Sequence, residues 1–242
     1  MTSVANEIKK LSIIIPCYNE VDNIVDVLEK VLEVDVGLEK EIIVVDDGSS
    51  DGTMKVLEEI KEEKGDSNIL KVHFSMLNSG KGFAIRIGLK YATGDIIIIQ
   101  DADLEYDPYD YPKLLQPIIE GKADVVYGSR FMGKPRPEGM AFANYLANKI
   151  LAWTATLLYG KYLTDEATCY KAFRKDVIGS IKLECQRFEF CPEVTSKVLK
   201  KKYKLIEVPI SYTGRTTLEG KKITWWDGFE AIWTLLKYRF KR

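Results

Sequence analysis

Histidine and cysteine are scarce in this chain, which has one histidine and four cysteines among 242 residues. Cys17, Cys169, Cys185 and Cys191 lack the short paired spacing of a zinc site, and they are too few for a disulfide scaffold of this length. We therefore expect reduced thiols. His73 lies within an apolar stretch, and we expect it to be structural rather than catalytic.

The chain also lacks an excess of charge of either sign, since it contains 35 Lys and Arg residues and 36 Asp and Glu residues. A nucleic-acid-binding domain would normally be strongly basic, so we expect no nucleic acid partner. The first ten residues, MTSVANEIKK, are polar and contain no apolar core of a secretion signal, which favours a cytoplasmic location.

Long hydrophobic runs are missing as well. The closest approach to one is residues 141–160, which contain Asn144, Asn148 and Lys149. A membrane-spanning helix needs about 20 predominantly apolar residues. The segment is therefore expected to be a buried helix, while a helix lying near lipid remains open.

What the chain does contain is an alternation of apolar runs and helical patterns. Strands are expected in 11–19, 41–53 (running into a turn), 69–75, 95–103 and 123–130, with helices at 23–34, 53–64, 80–94 and 141–160. Continuous β-branched runs between helices are typical of a parallel sheet that is covered on both faces. We predict an α/β fold with a mostly parallel central sheet and helices on both faces. Residues 203–215 should form an edge strand, because Pro209 is tolerated only at an edge or bulge.

Four carboxylates, at positions 101, 103, 105 and 107, follow the strand that ends in IIIIQ. On an extended segment, a period of two would place all four on one face. A divalent cation would relieve their repulsion, and Mg²⁺ or Mn²⁺ prefers such oxygen ligands. Asp101 and Asp103 lie nearest the strand end and are the expected pair, whereas Asp107, before Pro108, is expected only to start the next helix.

Two further polar segments follow predicted strands or open a helix. In VVDDGSSDGT, turn formation explains the glycines and serines but not why Asp46 and Asp47 end a buried strand. An acid at this position can accept hydrogen bonds from a ribose or a base N–H. In NSGKGFA, Lys81 beside a helix N-terminus suits an anion, although a plain helix start with a solvated lysine is an equal alternative.

Six motifs occur in a characteristic order: SIIIPCYNE, VVDDGSSDGT, NSGKGFAIRIGLKYATGD, QDADLEYDP, VVYGSR and CYKAFRKDV. In this order they resemble the family 2 glycosyltransferases, and within them the polyprenyl-phosphate (dolichyl-phosphate) hexose synthases. The resemblance covers residues 11 to about 220. It implies a GT-A fold, a nucleotide-diphosphate sugar donor such as GDP-mannose or UDP-glucose, a Mg²⁺ or Mn²⁺ ion, and inversion at the anomeric carbon.

The resemblance also implies roles for individual residues. Asp101 and Asp103 should face the metal and diphosphate, and Glu105 stands where some relatives have a third metal ligand. The expected nucleoside site comprises Pro16, Tyr18, Asn19, Glu20, Asp46 and Asp47.

Two acceptor classes remain open. A lipid phosphate is already an anion and needs basic residues, for which Arg130, Arg215 and Lys221 are the candidates. The spacing of Arg215 and Lys221 resembles that of the lipid-phosphate synthases. A sugar hydroxyl must instead lose a proton to a general base, and Asp165 lies where sugar-acceptor relatives have theirs. The Gln-x-x-Arg-Trp motif of processive polysaccharide synthases is absent.

The C-terminal segment combines aromatic and basic residues. We predict a catalytic domain at 1–220 and an amphipathic helix at 221–242 that either lies in the headgroup layer or packs on its own domain or a dimer partner. The first alternative predicts peripheral contact with the cytoplasmic face of a membrane. Its apolar residues are Trp225, Trp226, Phe229, Trp233, Leu236 and Phe240.

Overall fold

The computed structural model describes residues 8–64, 69–133, 136–137, 139–214 and 225–241. The strands are β1 (Lys10–Cys17), β2 (Glu39–Asp46), β3 (Leu70–Phe74), β4 (Ile96–Ile99), β5 (Val125–Ser129), β6 (Lys171–Arg174) and β7 (Leu205–Pro209). The helices are α1 (Ile24–Glu33), α2 (Thr53–Lys64), α3 (Lys81–Tyr91), α4 (Tyr111–Ile119), α5 (Phe142–Tyr159), α6 (Lys175–Gly179), α7 (Phe190–Lys200) and α8 (Trp225–Phe240). A 3₁₀ turn spans Pro108–Asp110.

The strands form one sheet in the order β3-β2-β1-β4-β6-β5-β7. The neighbours β3, β2, β1 and β4 are parallel to one another, and β5 is parallel to β7. Only β6 runs antiparallel, between β4 and β5. The prediction of a mostly parallel α/β sheet is therefore confirmed, and β7 is an edge strand that ends at Pro209, as expected.

Alternate residues of the central strands enter two separate cores. Ile13 and Ile15 pack with α1, α2 and α4 on one face, whereas Ile14 packs with α3, α5, α7 and α8 on the other. Helices thus cover both faces of the sheet, which explains why its strands are apolar at nearly every position. Gly88 lets α3 approach β1 closely, because a Cβ there would collide with the Ile14 side chain.

The segment after β4 differs from the expectation. It turns immediately, and Leu104 has a φ of 59°, so the four carboxylates do not form one row on an extended strand. Asp107 caps the 3₁₀ turn by accepting a hydrogen bond from the Tyr109 N–H at 3.1 Å. The prediction that Asp107 only starts the next helix is confirmed, whereas the shared-face argument is wrong because it assumed extended backbone.

Helices α5 and α8 lie side by side, and α8 also packs on α7. The inner face of α8 is buried through residues such as Ala231 and Leu235. Across the described ranges, none of the helices combines the length and apolar character that crossing a bilayer requires. The division of the chain at residue 220 stays a prediction.

Candidate active site

A cavity of about 1170 Å³ lies at the carboxyl ends of β1, β2 and β4. Parallel sheets bind ligands at this edge because their strand ends and following loops converge there. Helices α5 and α8 contribute further wall residues. The predicted site residues in the wall are Pro16, Tyr18, Glu20, Asp47, Lys81, Asp101, Asp103, Glu105 and Arg130.

Three predicted residues are not part of this wall, namely Asn19, Asp46 and Asp165. Asn19 links the loops after β1 and β2, since its N–H donates to Ser49 Oγ and its Oδ1 accepts from the Ser50 N–H, both at 2.8 Å. Asp46 is fully buried, and its Oδ2 accepts from the Ser49 N–H at 3.1 Å. Arg215 and Lys221 lie outside the described residues.

Asp47 holds the backbone segment that leads into α3. Its carboxylate accepts hydrogen bonds from the backbone N–H groups of Ser79 and Gly80, at 3.0 and 2.6 Å. Burial raises the pKa of Asp47, although these bonds lower it. Asp47 therefore positions the loop that delivers Lys81 to the cavity, which is a role that the sequence analysis did not foresee.

Lys81, the first residue of α3, connects two elements of the site. Its Nζ lies 2.6 Å from Asp101 Oδ1 and 3.0 Å from the Cys169 sulfur. Burial and the Cys169 charge raise the pKa of Asp101 to about 7 even though Lys81 opposes the shift. The solvated-lysine alternative is therefore wrong, because Lys81 is an inward-facing, ion-paired side chain.

Asp103 and Glu105, the other two wall carboxylates of the loop after β4, are held by one contact within the loop and one from outside it. Asp103 Oδ1 accepts from the Glu105 N–H at 3.2 Å, and Glu105 Oε2 accepts from the Tyr212 hydroxyl at 2.9 Å. Within the described residues no three ligating side chains are gathered into a metal cluster. The donor set of Asp101, Asp103 and Glu105 is nonetheless all oxygen, which fits Mg²⁺ or Mn²⁺, and Mg²⁺ usually takes only roughly one or two protein carboxylates.

Arg130 and Asp165 form a buried, bidentate ion pair. Arg130 Nε and Nη2 each donate to the Asp165 carboxylate at 2.7 Å, and the Arg130 backbone N–H adds a third bond at 3.0 Å. Asp165 is fully buried, whereas Arg130 reaches the cavity wall and lies over the Tyr212 ring at 5.2 Å. Burial alone would lower the pKa of Arg130, but the Asp165 charge raises it well above its usual value.

Several wall residues escaped the sequence analysis. Tyr212 and Glu166 line the cavity, together with the thiols Cys169 and Cys191, whose sulfurs are 3.8 Å apart. The hydrogen bond from Cys191 and the Lys81 charge lower the pKa of Cys169, while the same bond and burial raise the pKa of Cys191. Of these residues, only Cys169 lay within one of the recognised motifs, so no local pattern could have brought the set together.

Comparison with known proteins identifies the family of the chain. The model of the family "Glycosyl transferase family 2" matches residues 12–181. The chain is 31% identical over 236 residues to a dolichol-phosphate mannosyltransferase of Pyrococcus furiosus, covering 95% of this chain and 64% of that protein. It thus spans somewhat less than two thirds of that relative's length.

A second relative matches along nearly its whole length. It is the UDP-N-acetylglucosamine–dolichyl-phosphate N-acetylglucosaminyltransferase of Methanococcus voltae, which is 32% identical, with 94% of this chain and 95% of that protein covered. Among solved structures, glucosyl-3-phosphoglycerate synthase from Mycobacterium tuberculosis, in complex with Mn²⁺, UDP and phosphoglyceric acid, has a TM-score of 0.70 at 19% identity. That alignment covers 96% of this chain and 79% of the synthase, and it shows the shared GT-A fold.

The family match covers the strands and loops that build the cavity wall from Pro16 to Cys169. It agrees with the order of motifs and with the mixed, mostly parallel sheet. The chain therefore belongs to glycosyl transferase family 2, a family of transferase enzymes.

Proposed function

We propose that this protein transfers a hexose from a nucleotide-diphosphate sugar to a polyprenyl phosphate, with inversion at the anomeric carbon. The observation that carries the proposal is the pairing of Asp165, which is not part of the cavity wall, with Arg130, which is. Both curated relatives described above are named as transferases that use a dolichyl or dolichol phosphate.

The pairing bears on the choice of acceptor. A general base must come within hydrogen-bond reach of the proton that it removes. Asp165 is fully buried, uses both carboxylate oxygens on Arg130 and is not part of the cavity wall. A lipid phosphate needs no base, because it attacks as an anion.

Arg130 would then contact the acceptor phosphate. The ion pair uses Nε and Nη2, two of the three guanidinium nitrogens, and the side chain borders the cavity. Asp165 thereby orients the guanidinium while its third nitrogen donates to a phosphate oxygen, an arrangement for which the planar fork of arginine is suited. Arg215 and Lys221 complete the acceptor site in this proposal.

The donor would occupy the part of the cavity at the carboxyl ends of β2, β1 and β4. Tyr18, Glu20 and Asp47 would contact the nucleoside, and Asp103 with Asp101 and Glu105 would hold Mg²⁺ or Mn²⁺. The cation, when bound, stabilises the negative charge that develops on the departing diphosphate. The position of these three carboxylates supports this assignment, because all three lie in the cavity wall and offer oxygen ligands, although Asp101 is paired with Lys81 in this structure.

An apolar surface beside the cavity suits a lipid-bearing acceptor. The outer faces of α5 and α8 expose aromatic and aliphatic side chains, among them Trp153 at 67% and Trp233 at 66%. The cavity wall includes Ile150 of α5 and Phe229 of α8, so the apolar surface borders the cavity. We propose that these two helices rest in the headgroup layer as a peripheral contact and bring the polyprenyl chain to the site.

The proposal is tested by label transfer. Purified protein, Mg²⁺ or Mn²⁺ and a panel of radiolabelled UDP- and GDP-sugars are incubated with a short polyprenyl phosphate, and label is followed into an organic phase. Metal-dependent extraction from one donor supports the proposal and identifies the sugar. Transfer to a water-soluble glycan, without extraction, would refute it.

A further inference from the structure

Two thiols approach each other in the cavity wall. Cys169 precedes β6 and Cys191 lies in the first turn of α7, and their sulfurs are 3.8 Å apart. Neither is in a disulfide. The S–S bond of a disulfide is about 2.05 Å long, so closing one would require the two sulfurs together to move by less than about 2 Å.

The surroundings make the two sulfurs unequal. Lys81 Nζ lies 3.0 Å from the Cys169 sulfur, where an ammonium favours a thiolate. In the described part of the chain no ammonium group is hydrogen-bonded to the Cys191 thiol, and its proton can go either to the Cys169 sulfur at 3.8 Å or to the Thr168 carbonyl oxygen at 3.3 Å. This is the arrangement of a nucleophilic sulfur beside a second, resolving thiol.

Small oxidants can reach the pair through the cavity. Both cysteines belong to its wall, and Cys169 is only partly buried. Cys185 offers a contrast, since it is 2% exposed and its thiol faces the Gly82 carbonyl oxygen at 3.9 Å. Reactivity should therefore distinguish Cys169 from Cys185 within one molecule.

We propose that Cys169 and Cys191 form a reversible thiol modification site that peroxide converts into a disulfide. The Cys169 thiolate attacks one peroxide oxygen, the O–O bond breaks, and hydroxide leaves to give a sulfenic acid. The Cys191 sulfur then attacks the Cys169 sulfur, and the S–O bond breaks as water departs with the Cys191 proton. In sum, two thiols and one hydrogen peroxide give one disulfide and two waters, and an added dithiol reverses the change.

Oxidation of the thiols would also change the contacts of Asp101. Lys81 bridges Cys169 and Asp101, and a disulfide sulfur is a poorer partner for an ammonium than a thiolate. The ammonium would therefore shift towards Asp101. This consequence depends on the site itself and not on the identity of the sugar or the acceptor.

The test uses the full-length protein treated with hydrogen peroxide and analysed by mass spectrometry without reduction. The wild type should lose about 2 Da and yield a peptide that links residues 169 and 191, and dithiothreitol should restore the mass. Cys185→Ser is the matched control and should behave like the wild type. Cys169→Ser and Cys191→Ser should form no such link, and thermal melting of each variant confirms that it is folded.

A second readout is independent of disulfide closure. In the untreated protein, iodoacetamide should alkylate Cys169 about tenfold or more faster than Cys185, because thiolate character and exposure control the rate. Equal alkylation rates, or peroxide links that involve Cys185 as readily as Cys191, would overturn the proposal. An unchanged mass after peroxide treatment would overturn it as well.

Discussion

Arg130 and Asp165 are joined by two side-chain hydrogen bonds of 2.7 Å each, with side-chain exposures of 8% and 0%. The same two residue types, at Arg174 and Asp176, form a bidentate pair at the surface with exposures of 45% and 66%. In the buried pair, the charged Arg130 side chain borders the cavity, whereas the Asp165 carboxylate does not.

Asp165→Asn should lower the free energy of unfolding by about 3–5 kcal/mol, because it leaves the Arg130 charge buried without a counter-charge. Asp176→Asn removes the acid of the exposed pair and should cost only about 0–1 kcal/mol. Urea denaturation of both variants measures the difference. Equal costs would contradict the structural role assigned to Asp165.

Arg130→Lys should raise the apparent KM for polyprenyl phosphate about tenfold or more, since a lysine cannot bind Asp165 in bidentate fashion and also donate to a phosphate. The KM for the nucleotide sugar should change by less than about twofold, because the proposed donor contacts are elsewhere. Arg174→Lys is the matched control. A parallel rise in both KM values for Arg130→Lys would undermine the acceptor assignment.

Asp103→Asn should lower turnover about 100-fold or more and weaken the response to Mg²⁺ or Mn²⁺, because it removes a proposed metal ligand. Asp107→Asn is the natural control, since Asp107 caps the 3₁₀ turn through the Tyr109 N–H. Steady-state rates measured against metal concentration separate the two variants. Similar losses in both would indicate that the β4 loop, rather than a ligand, had been damaged.

Glu41 should make the fold sensitive to acid. Burial would raise its pKa, but hydrogen bonds from Ser12, Thr93 and Lys71 lower the pKa of Glu41 from 4.5 to about 2. The folded-state pKa lies below the ordinary value, so this stabilisation is present above about pH 4.5 and is lost as the pH falls towards about 2.

Glu41→Gln should therefore lower the melting temperature near neutral pH and flatten its decline below about pH 4.5. Glu39→Gln changes a neighbouring acid whose side chain is 65% exposed, and it should leave the pH profile close to that of the wild type. Scanning calorimetry across this pH range measures the melting temperatures of both variants and of the wild type. A Glu41→Gln profile parallel to the wild type would show that Glu41 is not the titrating group.

The apolar faces of α5 and α8 should govern binding to lipid. Replacing both Trp153 and Trp233 by Ser should weaken the affinity for anionic phospholipid vesicles about tenfold or more, because each change removes an exposed aromatic anchor. Vesicle flotation measures this affinity. Ile119→Ser, at an exposed position of α4, should have no effect. Unchanged flotation of the tryptophan variant would favour a packing role for these helices.

The sequence predicted the repeating part of the fold well. Buried parallel strands such as β1 and β2 are long β-branched runs, and the polar residues after them fell at the expected edge of the sheet. It did not predict β6, a four-residue strand, because Lys171–Arg174 carries no period of its own. Its antiparallel place is determined by pairing with β4 and β5.

The motifs named candidate site residues, but they did not predict how those residues are arranged. Motifs indicated Asp101 and Asp103, yet the ion pair of Arg130 with Asp165 joins residues 35 positions apart. The contact of Lys81 with Cys169 spans 88 positions. Such pairings depend on how the sheet brings loops together, and no local spacing encodes them.

The most direct measurement compares polyprenyl phosphate with polyprenol of the same chain length as acceptors for the labelled donor. The two lipids differ only in the phosphate, so the comparison isolates the group that Arg130 is proposed to bind. We expect metal-dependent label transfer to the phosphate and none to the alcohol. Equal transfer to the alcohol would contradict the proposal and return Asp165 to consideration as a general base.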